Sequence, residues 1–187
     1  MSDASPDPSG APHQRPVTIA EKEEFSSGGR RYMIWLRGRW GLKIDRAVLW
    51  ATGYSLMTKQ FCLAQRHPYQ PTLFLTTIGA RTRKQRTNAM PYFPVGNDLV
   101  VRGSNGGGPT DPHWVHNVRA NPYAWIRVNR KTRPVHAHVA AGEERERVYE
   151  ALCEASHTTK MYQDMCYPRE LPLVVLRPWS DVDNANG

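Results

Sequence analysis

Thr72-Leu-Phe-Leu-Thr-Thr-Ile78 is the stretch of sequence that decides the fold. An uninterrupted run of apolar and β-branched residues, ended here by Gly79, is typical of a short buried strand. Further short runs of this kind follow it along the chain: Met90–Phe93, Leu99–Arg102, Tyr123–Asn129, Pro134–Ala140 and Leu171–Leu176. Short strands with few helices between them predict a small β-barrel rather than a parallel α/β sheet.

Turn residues connect neighbouring strands and indicate how they pair. Gly96-Asn97-Asp98 lies between two strands and predicts a hairpin, and Arg130-Lys131-Thr132 predicts another. Two helices are also predicted. Asp111 would cap the first, Pro112–Ala120, with proline at its first position, and the second spans Glu143–Ala155.

The chain before the strands divides into two parts. Residues 1–16 are rich in Pro, Ser, Asp and Gly, and predict a disordered tail. Residues 17–71 are predicted as a helical segment that covers the substrate side, and residues 72–180 as the barrel domain. Within the first segment, Lys43–Met57 predicts one helix with a single apolar face. Such a basic amphipathic helix can pack on the core, cover an apolar pocket or lie on a membrane surface.

Composition narrows the class of protein. The net charge is +8, which favours anionic partners such as a polyanionic small molecule, nucleic acid or an anionic membrane. The three cysteines form no CxxC pair and the chain opens without an apolar leader, so we expect a reducing, cytoplasmic setting. No apolar run is long enough to cross a bilayer.

The strongest local motif is Gly103-Ser-Asn-Gly-Gly-Gly-Pro-Thr-Asp-Pro112, between a strand and a helix start. Glycines let backbone N–H groups approach a ligand, and the helix N-terminus favours an anion. The alternative is a flexible turn, and the loop matches neither a P-loop nor a Rossmann fingerprint. The basic segment Gly79–Asn88 supplies either a second, cationic side to the same site or a solvated hairpin tip. Arg81 and Arg86 could contact phosphate there in bidentate fashion.

Other candidate sites are weaker. Trp114 is either a ring platform or a core residue. His113 and His116 lie three apart on one helix, but no third ligand has a fixed spacing, so no metal site is expected. No GxSxG elbow occurs, which argues against a hydrolase.

An ordered set of segments resembles the deazaflavin (F420)-dependent nitroreductases, also called F420H2-dependent quinone reductases. The set runs from Leu73–Gly79 through Arg86-Thr-Asn-Ala-Met-Pro91, Ser104-Asn-Gly-Gly107 and Pro112–Pro122 to Arg169–Val175. The resemblance implies a split β-barrel of the FMN-binding type, classed α+β, with a few flanking helices and an N-terminal helical extension. It also implies reduced F420 as the hydride donor.

Carried over position by position, the family's cofactor contacts fall on four segments of this chain. They are Ala80, Arg81 and Thr82; Arg86, Thr87, Asn88, Ala89, Met90 and Pro91; Arg102, Gly103, Ser104 and Asn105; and His113, Trp114, Val115, His116 and Asn117. Tyr162 is the candidate for the family's active-site tyrosine, which orients the acceptor or supplies a proton.

The expected activity is hydride transfer from reduced F420 to a hydrophobic, electron-poor acceptor: a quinone, nitroaromatic or activated enone. The cofactor phosphate would bind at Ser104–Gly107 with Arg81 and Arg86, and the ring would lie beside Met90 and Trp114. We expect a monomer or weak dimer, with peripheral membrane contact through residues 30–57. One alternative is an FMN- or FAD-binding reductase on the same barrel. The other is a basic nucleic-acid-binding protein, although no nucleic-acid motif is present.

Overall fold

A computed structural model describes residues 35–36, 38–64 and 67–179 of the chain. The predicted disordered tail, residues 1–16, lies outside the described residues, as does the polar segment up to residue 34. The strands are β1 Thr72–Ile78, β2 Gln85–Val95, β3 Asp98–Arg102, β4 Tyr123–Val128, β5 Lys131–Val139 and β6 Leu173–Pro178. The α-helices are α1 Gly38–Thr52, α2 Leu56–Ala64, α3 His113–Ala120, α4 Gly142–Ala155 and α5 Thr158–Cys166, and a short 3₁₀ helix spans Asn105–Gly107.

The strands close into an antiparallel barrel in the order β1-β2-β3-β6-β5-β4. Both predicted hairpins are present, as β2–β3 and β4–β5. In the second, Asn129 and Arg130 both have positive φ, 46° and 68°, which suits the right-handed twist of the strands they join. Closure removes the exposed strand edges that a small open sheet would leave. The predicted α+β barrel with flanking helices is therefore confirmed.

Alternate residues of the strands face two separate cores. Val101 points into the barrel, where α3 contributes Trp114, Val115 and Val118 to the interior cluster. Val100, its neighbour, points outward into a second cluster in which Val148 and Leu152 of α4 pack on the barrel wall. The outer face of β2 and β3 is thus a platform on which helices rest.

The N-terminal helical segment differs from its prediction. Lys43–Met57 was expected as one helix, but α1 ends at Thr52 and α2 begins at Leu56. Gly53 has φ +80°, which glycine adopts without strain, and its N–H donates to the Leu49 carbonyl. The Ser55 hydroxyl then accepts the Thr58 N–H, as an N-cap residue does for a new helix. The apolar pattern continued through this break, so periodicity alone concealed it.

The start of α3 also differs. Asp111 was predicted as the N-cap, but the cap position is Pro112, and it makes no side-chain cap bond. The Asp111 carboxylate instead accepts hydrogen bonds from Arg169 and Arg119. A carboxylate binds a guanidinium more strongly than it binds a backbone N–H. This explains why the Asp111 side chain turns away from the helix and toward the two arginines. Helix α5 was not predicted at all.

Candidate active site

A cavity of about 650 Å³ lies on the outer face of the barrel, between strands β1–β3 and the helices packed on them. Helix α1 contributes Leu42 and Arg46 to its walls, and α2 contributes Met57, Phe61 and Cys62. The strands contribute Thr72, Asn88, Ala89, Pro91 and Arg102, and the C-terminal helices contribute Ser156, Thr158 and Tyr162. The volume and the mixed apolar and polar lining suit a small organic ligand.

A polar cluster under α1 fixes the roof of this cavity. The Asp45 carboxylate accepts hydrogen bonds from the Ser55 hydroxyl at 3.1 and 3.0 Å and from the Met57 N–H at 2.9 Å. Asp45 is itself buried, so these bonds replace the water that the carboxylate has lost. They tie the two N-terminal helices together above the ligand space.

Arg102 places a cation in the wall of the cavity. Its guanidinium donates to the hydroxyls of Thr158 and Thr159, both at 3.0 Å. It also lies 4.5 Å from the centre of the Phe93 ring and 5.1 Å from that of Tyr162. Burial lowers the pKa of Arg102 to about 10, so the group is still cationic at neutral pH. Among the described residues no carboxylate lies within ion-pair distance of it.

Tyr162, the predicted catalytic residue, lines the same cavity as Arg102. Burial raises the pKa of its phenol, and the adjacent Arg102 cation opposes the rise only in part. The phenol is therefore protonated at neutral pH and can donate a hydrogen bond to a ligand oxygen.

The glycine-rich loop is held from behind by one side chain. The Arg169 guanidinium donates to the carbonyls of Gly103, Ser104 and Gly108 and to the Asp111 carboxylate. Within the loop, the Gly107 N–H donates to the Ser104 carbonyl and the Gly108 N–H to the Asn105 carbonyl. The loop is thus an ordered turn rather than a flexible connection. It reaches the cavity through Gly106, which has φ +64° and open space where a Cβ would stand.

The basic segment after β1 forms an exposed turn at the end of the β1–β2 hairpin. Asn117 of α3 anchors it, because its side-chain oxygen accepts the Ala80 N–H at 3.0 Å and its amide donates to the Thr77 hydroxyl. This brings the predicted segments 80–82 and 113–117 together. The side chains of Arg81 and Arg86 are exposed.

The predicted cofactor contacts therefore fall into three groups. Asn88, Ala89, Pro91 and Arg102 line the cavity. The side chains of Met90, Trp114 and Val115 pack in the barrel core, and Gly103 is buried; Trp114 thus has the core position that was one of its two expected roles. The remainder lie at the barrel end or surface: Ala80, Arg81, Thr82, Arg86, Thr87, Ser104, Asn105, His113 and His116, together with Asn117, which is buried beneath the turn that it anchors. His116 lines a separate cavity of about 500 Å³ with Arg119, Arg145 and Arg169.

Several cavity residues had no signal in the sequence. His67 lies in the connection before β1, and Ser156 and Thr158 lie at the junction of α4 and α5. They are single polar residues far apart along the chain, and only the closure of the barrel brings them together.

A closed antiparallel barrel with flanking helices and a cavity on its outer wall has the architecture of the split-barrel cofactor-binding proteins. The family model described as F420H2-dependent quinone reductase matches residues 55–178. The chain belongs to this family, which confirms the predicted enzyme class, an F420-dependent reductase, and its cofactor.

Individual relatives agree with this assignment. Two strains of Mycobacterium tuberculosis, H37Rv and CDC 1551, each have an F420H2-dependent quinone reductase that is 32% identical over 111 residues, covering 57% of this chain and 72% of the relative. A solved structure described as an F420-H2 dependent reductase has a TM-score of 0.52 and 30% identity, over 57% of this chain and 94% of that one. Another, described as a domain-swapped dimer, has a TM-score of 0.53 and 26% identity, over 74% of this chain and 97% of that one.

The residues present fit a deazaflavin. The family cofactor carries a phosphodiester and an oligoglutamate tail, which need cations and closely approachable backbone. The chain offers a half-buried guanidinium at Arg102, the unobstructed Gly106 at the cavity wall, and exposed cations at Arg81 and Arg86. The apolar part of the wall, including Leu42, Ala89 and Pro91, suits a flat ring.

Proposed function

We propose that this chain transfers a hydride from reduced F420 to a quinone bound in the cavity lined by Arg102 and Tyr162. The observation that carries the proposal is the Arg102 cation, which lines a partly apolar cavity and has no carboxylate within ion-pair distance among the described residues. A reduced quinone gains negative charge on oxygen, and a fixed cation stabilises that charge most in a site that excludes water. The cofactor supplies the hydride; the chain supplies binding and orientation.

Tyr162 has the role of orienting the acceptor. Its protonated phenol lies beside Arg102, so one acceptor oxygen can receive hydrogen bonds from both groups. The Asn88–Pro91 segment of β2 lines the same cavity as α1 and would support the face of the acceptor ring. Nitroaromatics and activated enones present an oxygen in a similar way, and we expect them to serve as weaker acceptors.

The cofactor phosphate is proposed to bind beside the glycine-rich loop, with Arg81 and Arg86 at its outer edge. Gly106 supports this placement because a phosphate can approach its backbone without meeting a side chain. Arg169 supports it as well, since its bonds to three loop carbonyls hold the loop in one shape before a ligand arrives.

The outer face of α1 is proposed to contact an anionic membrane surface. Trp40 and Ile44 lie one turn apart on this face and are 75% and 49% exposed, and the Lys43 ammonium lies 4.7 Å from the Trp40 ring. Exposed Trp beside cations is typical of helices that lie in the headgroup region. The opposite face carries Leu42 and Arg46 into the cavity, so a lipophilic quinone could pass along the helix. No helix among the described residues is long and apolar enough to cross a bilayer.

The test is an anaerobic assay of wild type and Tyr162→Phe with reduced F420 and menadione, a small soluble quinone. Wild type should restore F420 absorbance well above the rate without enzyme. Loss of the Tyr162 hydroxyl should lower kcat/KM for menadione by about tenfold and leave F420 affinity nearly unchanged. A wild-type rate equal to the uncatalysed one would refute the proposal.

A further inference from the structure

A chain of hydrogen bonds runs along the polar wall of the cavity, from its rim to Arg102. The His67 Nε2 lies 2.9 Å from the Ser156 hydroxyl, and that hydroxyl lies 2.7 Å from the hydroxyl of Thr158. Thr158 in turn accepts from the Arg102 guanidinium at 3.0 Å. His67, Ser156, Thr158 and Arg102 all line the cavity, although His67 and Ser156 are 89 residues apart in sequence.

The direction of each hydrogen bond follows from its two ends. At one end the His67 Nδ1 lies 2.6 Å from the Pro68 carbonyl, which can only accept, so Nδ1 carries a hydrogen. In neutral His67 the Nε2 is then an acceptor, and the Ser156 hydroxyl must donate to it. Ser156 therefore accepts from Thr158, whose own oxygen accepts from Arg102. With His67 neutral, the hydroxyl hydrogens of Ser156 and Thr158 both point away from Arg102 and toward His67.

Protonation of His67 reverses the direction of the hydrogen bonds between His67, Ser156 and Thr158. An imidazolium donates from Nε2 to Ser156, so the Ser156 hydroxyl turns to donate to Thr158. The Thr158 oxygen now accepts from both Ser156 and Arg102, and its own hydrogen must find another acceptor. Because Thr158 lines the cavity, an oxygen of a bound ligand beside Arg102 is placed to accept it.

We propose that His67, Ser156 and Thr158 form a proton-delivery chain to the acceptor oxygen held at Arg102. This inference rests on the proposed function and extends it by naming the source of the proton. Tyr162 then orients the acceptor, and it is not the net proton donor.

The step balances. A quinone that gains a hydride becomes a hydroquinone monoanion, which Arg102 stabilises. Thr158 gives its hydroxyl hydrogen to that oxyanion and takes one from Ser156, which takes one from the Nε2 of His67. The product is a neutral hydroquinone, and the chain returns to its neutral-His67 arrangement. His67 is half-buried at the cavity rim, so it regains a proton from solvent.

Several charged or titratable groups surround this hydrogen-bond chain. The His157 ring lies 5.2 Å from that of His67, and the backbone N–H of His67 donates to the Cys62 carbonyl. Arg102 and Tyr162 face the inner end, and Asp45 and Arg46 line the cavity from α1. His157 is exposed and lies outside the hydrogen-bond chain, which makes His157→Gln the matched control.

The test combines turnover with a measurement on the protein alone. His67→Gln and Ser156→Ala should each lower kcat with menadione by roughly tenfold or more, the range expected for a lost general acid. F420 affinity should change by less than about twofold, and the fall in wild-type kcat toward high pH should disappear in both variants. His157→Gln should keep the wild-type rate and pH profile. In cofactor-free protein, nitrogen NMR should give neutral His67 as the Nδ1–H tautomer, with its Nε2 signal shifted in Ser156→Ala.

Each outcome decides a different point. If wild type fails to reduce menadione, the proposed function is wrong and this inference fails with it. If wild type is active and both variants retain its rate and pH profile, the proton-delivery chain is wrong and the proposed function stands. If neutral His67 is instead the Nε2–H tautomer, the proposed direction of the hydrogen bonds is wrong, regardless of the turnover rates of the variants.

Discussion

The guanidinium of Arg102 lies 5.1 Å from the centre of the Tyr162 ring, and both side chains line one cavity on the outer wall of the barrel. Strand β3 supplies the cation and helix α5 supplies the phenol, so the pair forms only when α5 packs against the barrel. Each group affects the other, because the cation opposes the rise in the pKa of Tyr162 that burial causes.

Replacing Arg102 with Leu should lower kcat/KM for a quinone by about tenfold to a hundredfold, since the developing oxyanion loses its cation. Steady-state rates with menadione measure this. Arg102→Lys keeps the charge and should recover part of the loss. The Leu variant should also raise the pKa of Tyr162 further, which a spectrophotometric titration of the phenol would detect. An unchanged kcat/KM in Arg102→Leu would exclude the cation from the reaction.

Replacing Arg169 with Ala should destabilise the fold by about 3–5 kcal/mol, because it leaves the largely buried Asp111 carboxylate without its main partner. Three loop carbonyls lose their donor in the same variant. Urea unfolding followed by tryptophan fluorescence measures the change.

The matched control uses the other arginine on Asp111. Arg119 is 46% exposed, so Arg119→Gln should lower the free energy of unfolding by less than about 1 kcal/mol. Equal losses in the two variants would show that Arg169 does not hold the loop.

Glu144 should make stability depend on pH. Burial tends to raise the pKa of its carboxyl, but hydrogen bonds and charges from His138 and Arg177 outweigh it and hold that pKa below its usual value. A carboxyl with a lowered folded-state pKa stabilises the fold above its unfolded pKa, and the benefit is lost as the pH falls through the folded value.

Glu144→Gln should therefore cost about 0.5–1 kcal/mol at pH 7, and the difference from wild type should shrink as the pH falls below about 4. Unfolding free energies at several pH values check this. The exposed neighbour Glu143 provides the control, and Glu143→Gln should show no such trend. If the Glu144→Gln variant stayed less stable than wild type by the same free energy down to about pH 2, the proposed dependence of stability on Glu144 ionisation would be wrong.

The outer face of α1 should bind anionic vesicles. Wild type should sediment with vesicles containing phosphatidylserine, and less with neutral ones, because Lys43 and Trp40 act together at the headgroups. Trp40→Gln should reduce binding severalfold while leaving reduction of soluble menadione unchanged. Vesicle binding that Trp40→Gln leaves intact would place the membrane contact elsewhere.

The sequence predicted the fold more completely than the candidate site. The strand Thr72–Ile78 was bounded correctly because its apolar run ends abruptly at Gly79, and Gly96-Asn97 marked a hairpin through its turn chemistry. The break at Gly53 was missed because the apolar pattern continues through it. Helix α5 was missed because its polar face resembles a loop, and its packing depends on Arg102 and the outer wall.

The candidate site was predicted where residues are close in sequence. Asn88, Ala89 and Pro91 follow one another on β2, so one matched segment identified all three. His67 and Ser156 share a hydrogen bond across 89 residues, and no local pattern encodes such a pair. Asp111 was misassigned because its partner Arg169 is 58 residues away, and local rules favoured a cap.

The most direct test of the central claim is a titration of F420 with the purified wild-type chain, followed by the fluorescence of the cofactor. The account predicts saturable quenching with a dissociation constant in the micromolar range or tighter, weakened by high salt because Arg81, Arg86 and Arg102 contribute charge. No quenching at roughly tens of micromolar protein would contradict it.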